Sequence, residues 1–390
     1  METVTPFAEI VEEIEHAGGE AFRFCYQCGK CDVVCPWNRV TDFSIRKIVW
    51  QAALGLSEIE LDDIWRCTTC GSCPATCPRG VEQIEVGVAI RRIATRYGVL
   101  PGRASGLSST SASLVSHGNP LGEARDTRGA WAQGLSVRQF TEGMEILYFV
   151  GCYGSFDPRN QKVAVATARI LERAGVDFGI LGTRESCCGE SIRKVGDEEV
   201  FRTLARENIK TFIDSGVRRI LVSSPHCYHT FINEYPEFMV NFEVVHISQL
   251  LSELIEQGRL ELAGRLPKRV AYHDPCYLGR HNGIFDPPRE VLQAVPGLEL
   301  VELPDSRQNS LCCGGGGGGI WMDTPKAERF ADLRLAQAKE VCADVLVTAC
   351  PYCISNFEEG RLALEEDDAL EVRDLTEVVQ ESMAASGEAP

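Results

Sequence analysis

The stretch Ser310–Ile320 reads SLCCGGGGGGI, two adjacent cysteines followed by six glycines. These thiols are poorly placed to form a disulfide with each other, because neighbouring Cα atoms lie about 3.8 Å apart and disulfides usually need about 4.4 Å or more. A flexible glycine loop with two incidental thiols is one interpretation. However, a second vicinal pair occurs in SCCGES at Ser186–Ser191. A repeated pair indicates an internal duplication with a shared task.

The spacing of the other cysteines supports this duplication. Cys187 follows Cys152 by 35 positions, and Cys312 follows Cys276 by 36. Each copy alternates short β-branched runs with helical segments, which predicts βαβ units around a parallel sheet. Several cysteines directly follow strand-like runs, as Cys350 follows VLVTA. Because sites in such sheets form outside the carboxyl ends of strands, the cysteines of each copy should converge.

Two further cysteine runs lie nearer the start of the chain, CYQCGKCDVVCP at Cys25–Pro36 and CTTCGSCPATCP at Cys67–Pro78. Both have the spacing that holds [4Fe–4S] clusters in bacterial ferredoxins, where the fourth cysteine binds the neighbouring cluster. A pair of zinc sites is the alternative, but zinc ligands usually come in two pairs. We therefore predict two cubane clusters. Their expected ligands are Cys25, Cys28, Cys31 and Cys77 for one, and Cys67, Cys70, Cys73 and Cys35 for the other.

The predicted fold class is multidomain α and α/β. Apolar residues recur at helical spacing between and after the two runs, with Thr41 or Asp42 as a cap. This predicts a helical ferredoxin-like domain over residues 1–98. A Gly- and Ser-rich linker over 99–144 and two duplicated parallel-sheet domains over 145–262 and 263–390 should follow.

Composition limits the class of protein. The chain has 390 residues, 18 cysteines and a formal net charge of -17. So many thiols indicate metal binding if the protein is cytoplasmic, and an acidic N-terminal segment without an apolar signal region favours that compartment. The negative charge argues against nucleic acid. No apolar run approaches the roughly 18 residues of a membrane span.

The repeated pattern C-x₃₄₋₃₅-C-C-x₃₅₋₃₆-C-x₂-C resembles the cysteine-rich CCG domain of heterodisulfide reductases. The whole chain is similar to their single-chain type, with a two-cluster ferredoxin module fused to two CCG domains. The resemblance implies a non-cubane [4Fe–4S] cluster that splits a disulfide by one-electron steps. Its implied ligands, which are also the implied catalytic residues, are Cys276, Cys312, Cys313, Cys350 and Cys353. Gly314, Gly315 and Gly316 would let the backbone approach that cluster closely.

The first copy departs from this pattern. Ser224 stands where the fourth cysteine should be, and Cys152, Cys187, Cys188 and Cys227 remain. Four thiolates suffice for a cubane cluster, or for a cluster with one oxygen ligand. Whether the first CCG domain holds a further [4Fe–4S] cluster, and of which type, stays open. His226 and His229 are either replacement ligands or hydrogen-bonding groups.

Two residues of the second copy also need an interpretation. His273 is either a proton donor to a leaving thiolate or a structural residue at a strand end. Cys342 is left over from the ligand sets and is expected to be a buried small apolar residue.

The resulting hypothesis is an iron–sulfur oxidoreductase subunit. A flavoprotein, hydrogenase or quinone-linked partner would supply electrons to the front clusters. A disulfide or another two-electron acceptor would be reduced at the Cys276 site, and the substrate would be a small disulfide or a thiol protein in its disulfide form. One alternative is a non-catalytic electron relay in a flavin-dependent bifurcating, acyl-CoA (benzoyl-CoA) reductase or 2-hydroxy-acid oxidase complex. A zinc-stabilised scaffold is another.

Overall fold

The computed structural model describes residues 7–56, 59, 61–363 and 370–383. The chain divides into two compact units. The first runs to Ala112 and also contains Gly189–Arg202 and Leu311–Phe330. The second contains Ser113–Cys188, Thr203–Ser310 and the chain from Ala331 onward.

Short helices dominate the part of the chain with the ferredoxin-type runs. The α-helices up to residue 117 are Ala8–Ile14, Lys30–Val34, Ile45–Ala53, Asp63–Arg66, Ser72–Thr76, Gln83–Arg96 and Leu107–His117. The last of these lies within residues 99–144, where a linker was expected. The helical pattern predicted after Thr41 includes Ser57, Glu58 and Glu60, which lie outside the described residues, as do residues 1–6 of the predicted front domain.

The helix Ile45–Ala53 shows how local sequence fixes an element. Its apolar stripe is buried, including Ile45, Ile48 and Val49. The expected cap at Thr41 or Asp42 is wrong, because Ser44 is the N-cap and its hydroxyl accepts from Lys47 N at 3.0 Å. That bond satisfies one of the amides that every helix start leaves without an intrahelical partner.

The second unit contains two parallel sheets with the same topology. The first sheet is formed by β1 (Ile146–Phe149), β2 (Phe178–Gly179), β3 (Arg219–Val222) and β4 (Glu243–His246), in the order β2-β1-β3-β4. The second is formed by β5 (Arg269–Tyr272), β6 (Glu299–Val301), β7 (Val345–Thr348) and β8 (Glu371–Asp374), in the order β6-β5-β7-β8. All pairings are parallel. The predicted duplication and the α/β class are confirmed.

Helices follow the strands as the βαβ pattern requires. The α-helices from residue 151 onward are Gly151–Phe156, Pro158–Arg173, Glu190–Lys194, Glu198–Asp214, Pro225–His229, Ile247–Glu256, Pro287–Gln293, Phe330–Glu340, Pro351–Ala363 and Leu375–Ser382. The central strands β1, β3, β5 and β7 are mostly apolar because parallel strands are covered on both faces. All four residues of β1 and of β7 are buried.

Among the described residues, no helix is both long enough and apolar enough to cross a lipid bilayer.

Candidate iron–sulfur sites

The two ferredoxin-type runs fold into the same backbone shape. Gln27 and Thr69, each just before the second cysteine of its run, have φ of 64° and 50°. Gly29 and Gly71, just after that cysteine, have φ of 81° and 80° and cap a short helix. Positive φ is costly for residues other than glycine. Both runs adopt this unfavourable backbone conformation at equivalent positions, which indicates that the two loops have the same role.

The first predicted ligand set comes together in one cavity of the first unit. The cavity is lined by all four thiols of that set, Cys25, Cys28, Cys31 and Cys77. Gln27 Nε2 donates to Cys25 Sγ at 3.2 Å, and Val81 N donates to Cys77 Sγ at 3.3 Å. Three thiols come from one run and the fourth from the other, which is the crossed arrangement expected from the motif.

The second predicted set is also grouped. Loss of hydration raises the pKa of Cys35, and the charges of Cys70 and Cys67 raise it further. The pKa of Cys73 is raised well above its usual range by the same loss of hydration, followed by the charges of Cys67, Cys70 and Cys35. Such mutual effects require the four groups to be neighbours. Their role as ligands stays a prediction.

A buried arginine hydrogen-bonds both the second run and the glycine-rich segment of the first unit. Arg91 is 1% exposed and donates four hydrogen bonds to backbone carbonyls. Its Nη1 donates to Gly317 O at 2.8 Å and to Lys194 O at 3.0 Å. Its Nη2 donates to Cys67 O at 2.7 Å, and its Nε to Ile64 O at 3.0 Å. Sequence reasoning missed this residue, although an arginine on an otherwise buried helix face was the available signal.

Part of the glycine run lies very close to the backbone of the second ferredoxin-type run. Gly317 has a φ of 61°, and a Cβ at this position would lie 2.4 Å from Cys67 O. Gly314, one of the glycines predicted to face a cluster, has a φ of 100°, and its N–H donates to Cys312 Sγ at 3.3 Å. The roles of Gly315 and Gly316 stay predictions.

The same segment brings Cys312 to the second ferredoxin-type run. Thr68 Oγ1 and Cys312 Sγ lie 3.7 Å apart and are both buried. The charge of Cys312 is also one of the influences that raise the pKa of Cys67, after loss of hydration. The first unit therefore contains both predicted ferredoxin sets and, beside one of them, the vicinal pair of the second repeat.

The thiols of the first repeat line one cavity of the second unit, together with Ser224. These thiols are Cys152, Cys187, Cys188 and Cys227. Ser224 is buried and hydrogen-bonds the Cys227 thiol. The position that lacks a thiol thus still places a polar oxygen at the site.

A buried ion pair supports this cavity. Arg128 Nη1 and Glu185 Oε1 lie 2.6 Å apart, with both side chains at most 2% exposed. The Glu185 carboxylate accepts from Val150 N at 3.1 Å and Gly151 N at 3.0 Å, which fixes the turn before Cys152. Arg128 Nη2 donates to Cys152 Sγ at 3.5 Å. The site therefore holds a cation that can offset thiolate charge.

The cysteines of the second repeat fall in both units. Cys276, Cys350 and Cys353 belong to the second unit, whereas Cys312 and Cys313 belong to a segment of the first. Cys350 and Cys353 lie at the start of a helix after β7, at the carboxyl end of that strand. Their joint action with the vicinal pair stays a prediction.

His273 is held as a neutral ring. Arg334 Nε donates to its Nδ1 at 3.0 Å, so that the ring hydrogen is on Nε2. Burial, and then the Arg334 charge, hold the pKa of His273 well below its usual range. Its Nε2 has no hydrogen-bond partner among the described residues, and a ring nitrogen lies within 4.8 Å of Cys353 Sγ. His273 thus offers a neutral N–H, whereas the expected proton donor would need the charged ring.

The interpretation of Cys342 as a buried residue is wrong. Cys342 is exposed and has a φ of 51°. It lies in the turn after the helix Phe330–Glu340, where chain reversal brings the side chain to the surface.

The chemistry of these donors fits iron–sulfur clusters. Thiolates are the ligands of such clusters, and burial without compensation makes a thiolate costly. Cys152, Cys188, Cys227, Cys276 and Cys350 are all buried. Grouped buried thiols are therefore suited to binding iron, which offsets their charge.

Comparison with known proteins supports this chemistry. A family model described as "Cysteine-rich domain" matches residues 146–232 and 270–358. One described as "4Fe-4S dicluster domain" matches residues 21–81. A solved structure of a hypothetical protein from Helicobacter pylori shares the fold, with a TM-score of 0.59, 12% identity and coverage of 98% of this chain and 77% of that one.

Three curated relatives are informative. The probable iron–sulfur-binding oxidoreductase FadF of Bacillus subtilis is 38% identical over 83% of this chain and 47% of its own length. The EtfAB:quinone oxidoreductase of Syntrophomonas wolfei is 35% identical, with the same coverage, so this chain spans about half of either relative. One subunit of the dihydromethanophenazine:CoB–CoM heterodisulfide reductase of Methanosarcina barkeri is 32% identical over 93% of this chain and 94% of that one. The chain therefore belongs to the family of iron–sulfur oxidoreductases, including this heterodisulfide reductase polypeptide, that join a 4Fe-4S dicluster domain to two cysteine-rich CCG domains.

Proposed function

We propose that this chain is the iron–sulfur electron-transfer and catalytic subunit of a heterodisulfide reductase-like complex that reduces a disulfide or a similar two-electron acceptor. The observation that carries the proposal is the junction in the first unit. Thr68 Oγ1 lies 3.7 Å from Cys312 Sγ, and Arg91 bonds both Cys67 O and Gly317 O. Thr68 of the front module thus lies beside Cys312 of the predicted disulfide-reducing set. Electron transfer from the front clusters to that set requires such proximity.

We assign the cofactors from the ligand sets. The sets at Cys25 and Cys67 would each hold a cubane [4Fe–4S] cluster, and the Cys276 set would hold the non-cubane cluster. The Cys152 set, with Ser224 beside it, is the site open to a further [4Fe–4S] cluster. When bound, these clusters supply one-electron carriers whose potentials depend on charge and on hydrogen bonds to sulfur.

The chain's own residues set that environment. Backbone N–H groups of Val81 and Gly314 donate to the sulfurs of Cys77 and Cys312. Such bonds stabilise negative charge on sulfur. His273 adds a neutral N–H near Cys353 at a place where water is excluded. Reduction of the substrate disulfide consumes two electrons and two protons and releases two thiols.

The electron donor would belong to a partner. We propose a flavoprotein, hydrogenase or quinone-linked subunit, attached either in the cytoplasm or at the membrane through such partners. The name of the Methanosarcina barkeri relative supports a dihydromethanophenazine-linked donor.

A pure electron relay is the second candidate. Ser224 removes one thiol from the first repeat, which argues against two equal CCG sites. The relative named EtfAB:quinone oxidoreductase also favours a relay between a flavoprotein and a quinone. In that case the subunit would pass electrons on without reducing a disulfide itself.

The experiment is a disulfide-reduction assay on the anaerobically purified chain, with an artificial low-potential donor and thiol release as the readout. We expect turnover in the wild type and in the exposed control Cys342→Ser. Cys313→Ser should lose turnover while the front clusters are still reduced by the donor. Reduction of the front clusters without thiol release in the wild type would establish the relay. Full iron content, an unchanged spectrum and full turnover in Cys313→Ser would refute the ligand assignment.

A further inference from the structure

His226 belongs to the first repeat, but its ring lies among residues of the second. It is carried by the helix Pro225–His229 after β3 and is 4% exposed. Its ring centroid lies 4.1 Å from that of Tyr277 and 4.4 Å from that of Tyr352. Both tyrosines are next to predicted ligands of the second repeat. The His226 ring is therefore packed against two aromatic rings beside the second repeat's cysteines.

The ring also reaches a thiol of that repeat. His226 hydrogen-bonds Cys350, which is buried. A ligand thiolate carries no hydrogen and can only accept a hydrogen bond. The geometry therefore makes His226 a donor to the Cys350 sulfur, which is one of the two alternatives open from the sequence.

The duplication gives this arrangement a counterpart. Aligning SSPHC with ACPYC places His226 opposite Tyr352. Tyr352 lines the cavity of the first repeat's thiols, and its ring lies 5.0 Å from that of Tyr153. Tyr153 directly follows Cys152, just as Tyr277 follows Cys276. Each repeat thus extends one ring into the site of the other: Tyr352 into the first site and His226 into the second. The ring that reaches Cys350 is the imidazole of His226, which has an N–H to donate.

His229 does not duplicate this role. Its Nδ1 lies 3.1 Å from Asn233 Nδ2, and its ring packs against Tyr277 and His281. It is one helical turn beyond His226 and supports the Tyr277 ring from another side.

We propose that His226, carried by the first repeat, is a positioning residue of the second repeat's site, where it donates a hydrogen bond to Cys350 and is fixed by Tyr277 and Tyr352. The inference rests on the proposed function, in that Cys350 is taken as a cluster ligand. Hydrogen bonds to ligand sulfur stabilise the reduced, more negative state and so raise the reduction potential. His226 thereby makes the two CCG sites chemically unequal.

The test is an anaerobic reductive titration of the iron-loaded chain, followed by EPR. Cys350→Ser identifies the midpoint that belongs to this site. His226→Phe keeps a ring without a donor. We expect it to make the equilibrium constant for reduction of this site about tenfold less favourable, which lowers the midpoint potential by about 59 mV for a one-electron couple. His226→Gln keeps an N–H donor and should retain most of the wild-type value. The front midpoints and the control His117→Phe, at an exposed helix end, should be unchanged.

The outcomes separate this inference from the proposed function. If no wild-type midpoint is removed by Cys350→Ser, the proposed function fails and the inference with it. If that midpoint exists and His226→Phe leaves it in place with full iron content, the inference alone is overturned. Equal shifts in His226→Phe and His226→Gln would also overturn it, since only packing would then be involved.

Discussion

Replacing Gly317 by alanine should disturb the junction between the second ferredoxin-type loop and the glycine-rich segment. Gly317 has a φ of 61°, and an added Cβ would lie 2.4 Å from Cys67 O and 3.0 Å from Thr68 C. These neighbours are backbone atoms, and Arg91 holds both Gly317 O and Cys67 O at 2.8 and 2.7 Å. The contact can therefore be relieved only by moving one loop away from the other.

The expected cost has two parts. A non-glycine residue in the left-handed region costs about 1–2 kcal/mol, and an overpacked contact typically adds about 1–3 kcal/mol. Gly98→Ala is the matched control, because Gly98 lies in the same unit with a φ of 70° and nothing within 4 Å of the added Cβ. The control isolates the first part. The difference between the two variants should thus be about 1–3 kcal/mol of unfolding free energy.

The assay is anaerobic thermal unfolding of the iron-loaded chain, combined with rapid-freeze EPR after reduction by a fast donor. At about 2–4 °C per kcal/mol, Gly317→Ala should melt about 2–12 °C below Gly98→Ala. The EPR signal that depends on Cys313 should also appear more slowly in Gly317→Ala, while the front signals form at the normal rate. Equal melting temperatures and equal rates in the two variants would show that the close approach at Gly317 is not required.

Three other predictions follow from the same structure. Arg91→Lys keeps the charge but loses the fork that bonds four carbonyls, so it should lower the melting temperature and slow reduction of the Cys313-dependent signal; wild-type behaviour would contradict a positioning role. Iron and sulfide analysis should give about three to four [4Fe–4S] clusters per chain, and zinc in place of iron would disprove the cluster assignment. Ser224→Cys adds a thiol beside Cys227 and should change the Mössbauer and EPR spectrum of one cluster only; identical spectra at full iron loading would place position 224 outside the ligand sphere.

The local motifs could be interpreted from the sequence because their chemistry is short-range. The cysteines of the run Cys67–Pro78 are three or four positions apart and close one loop, so their spacing alone indicates a cluster site. The parallel sheets were also predictable, because a strand such as β7 is covered on both faces and reads as a continuous apolar run. The duplication followed from the two vicinal cysteine pairs, and the two sheets have the same strand order.

The contacts that join these motifs depended on the tertiary structure. Arg91 and Gly317 are 226 positions apart, and no local pattern indicates that one donates to the other. The contacts of the His226 ring could not be predicted from the sequence either. Its neighbours in sequence are first-repeat residues, whereas its ring contacts and its thiol partner belong to the second repeat. Cys342 reads as one more small apolar residue, but a turn with positive φ brings it to the surface. Spacing along the chain determines which thiols can share a cluster, whereas long-range packing determines which groups surround them.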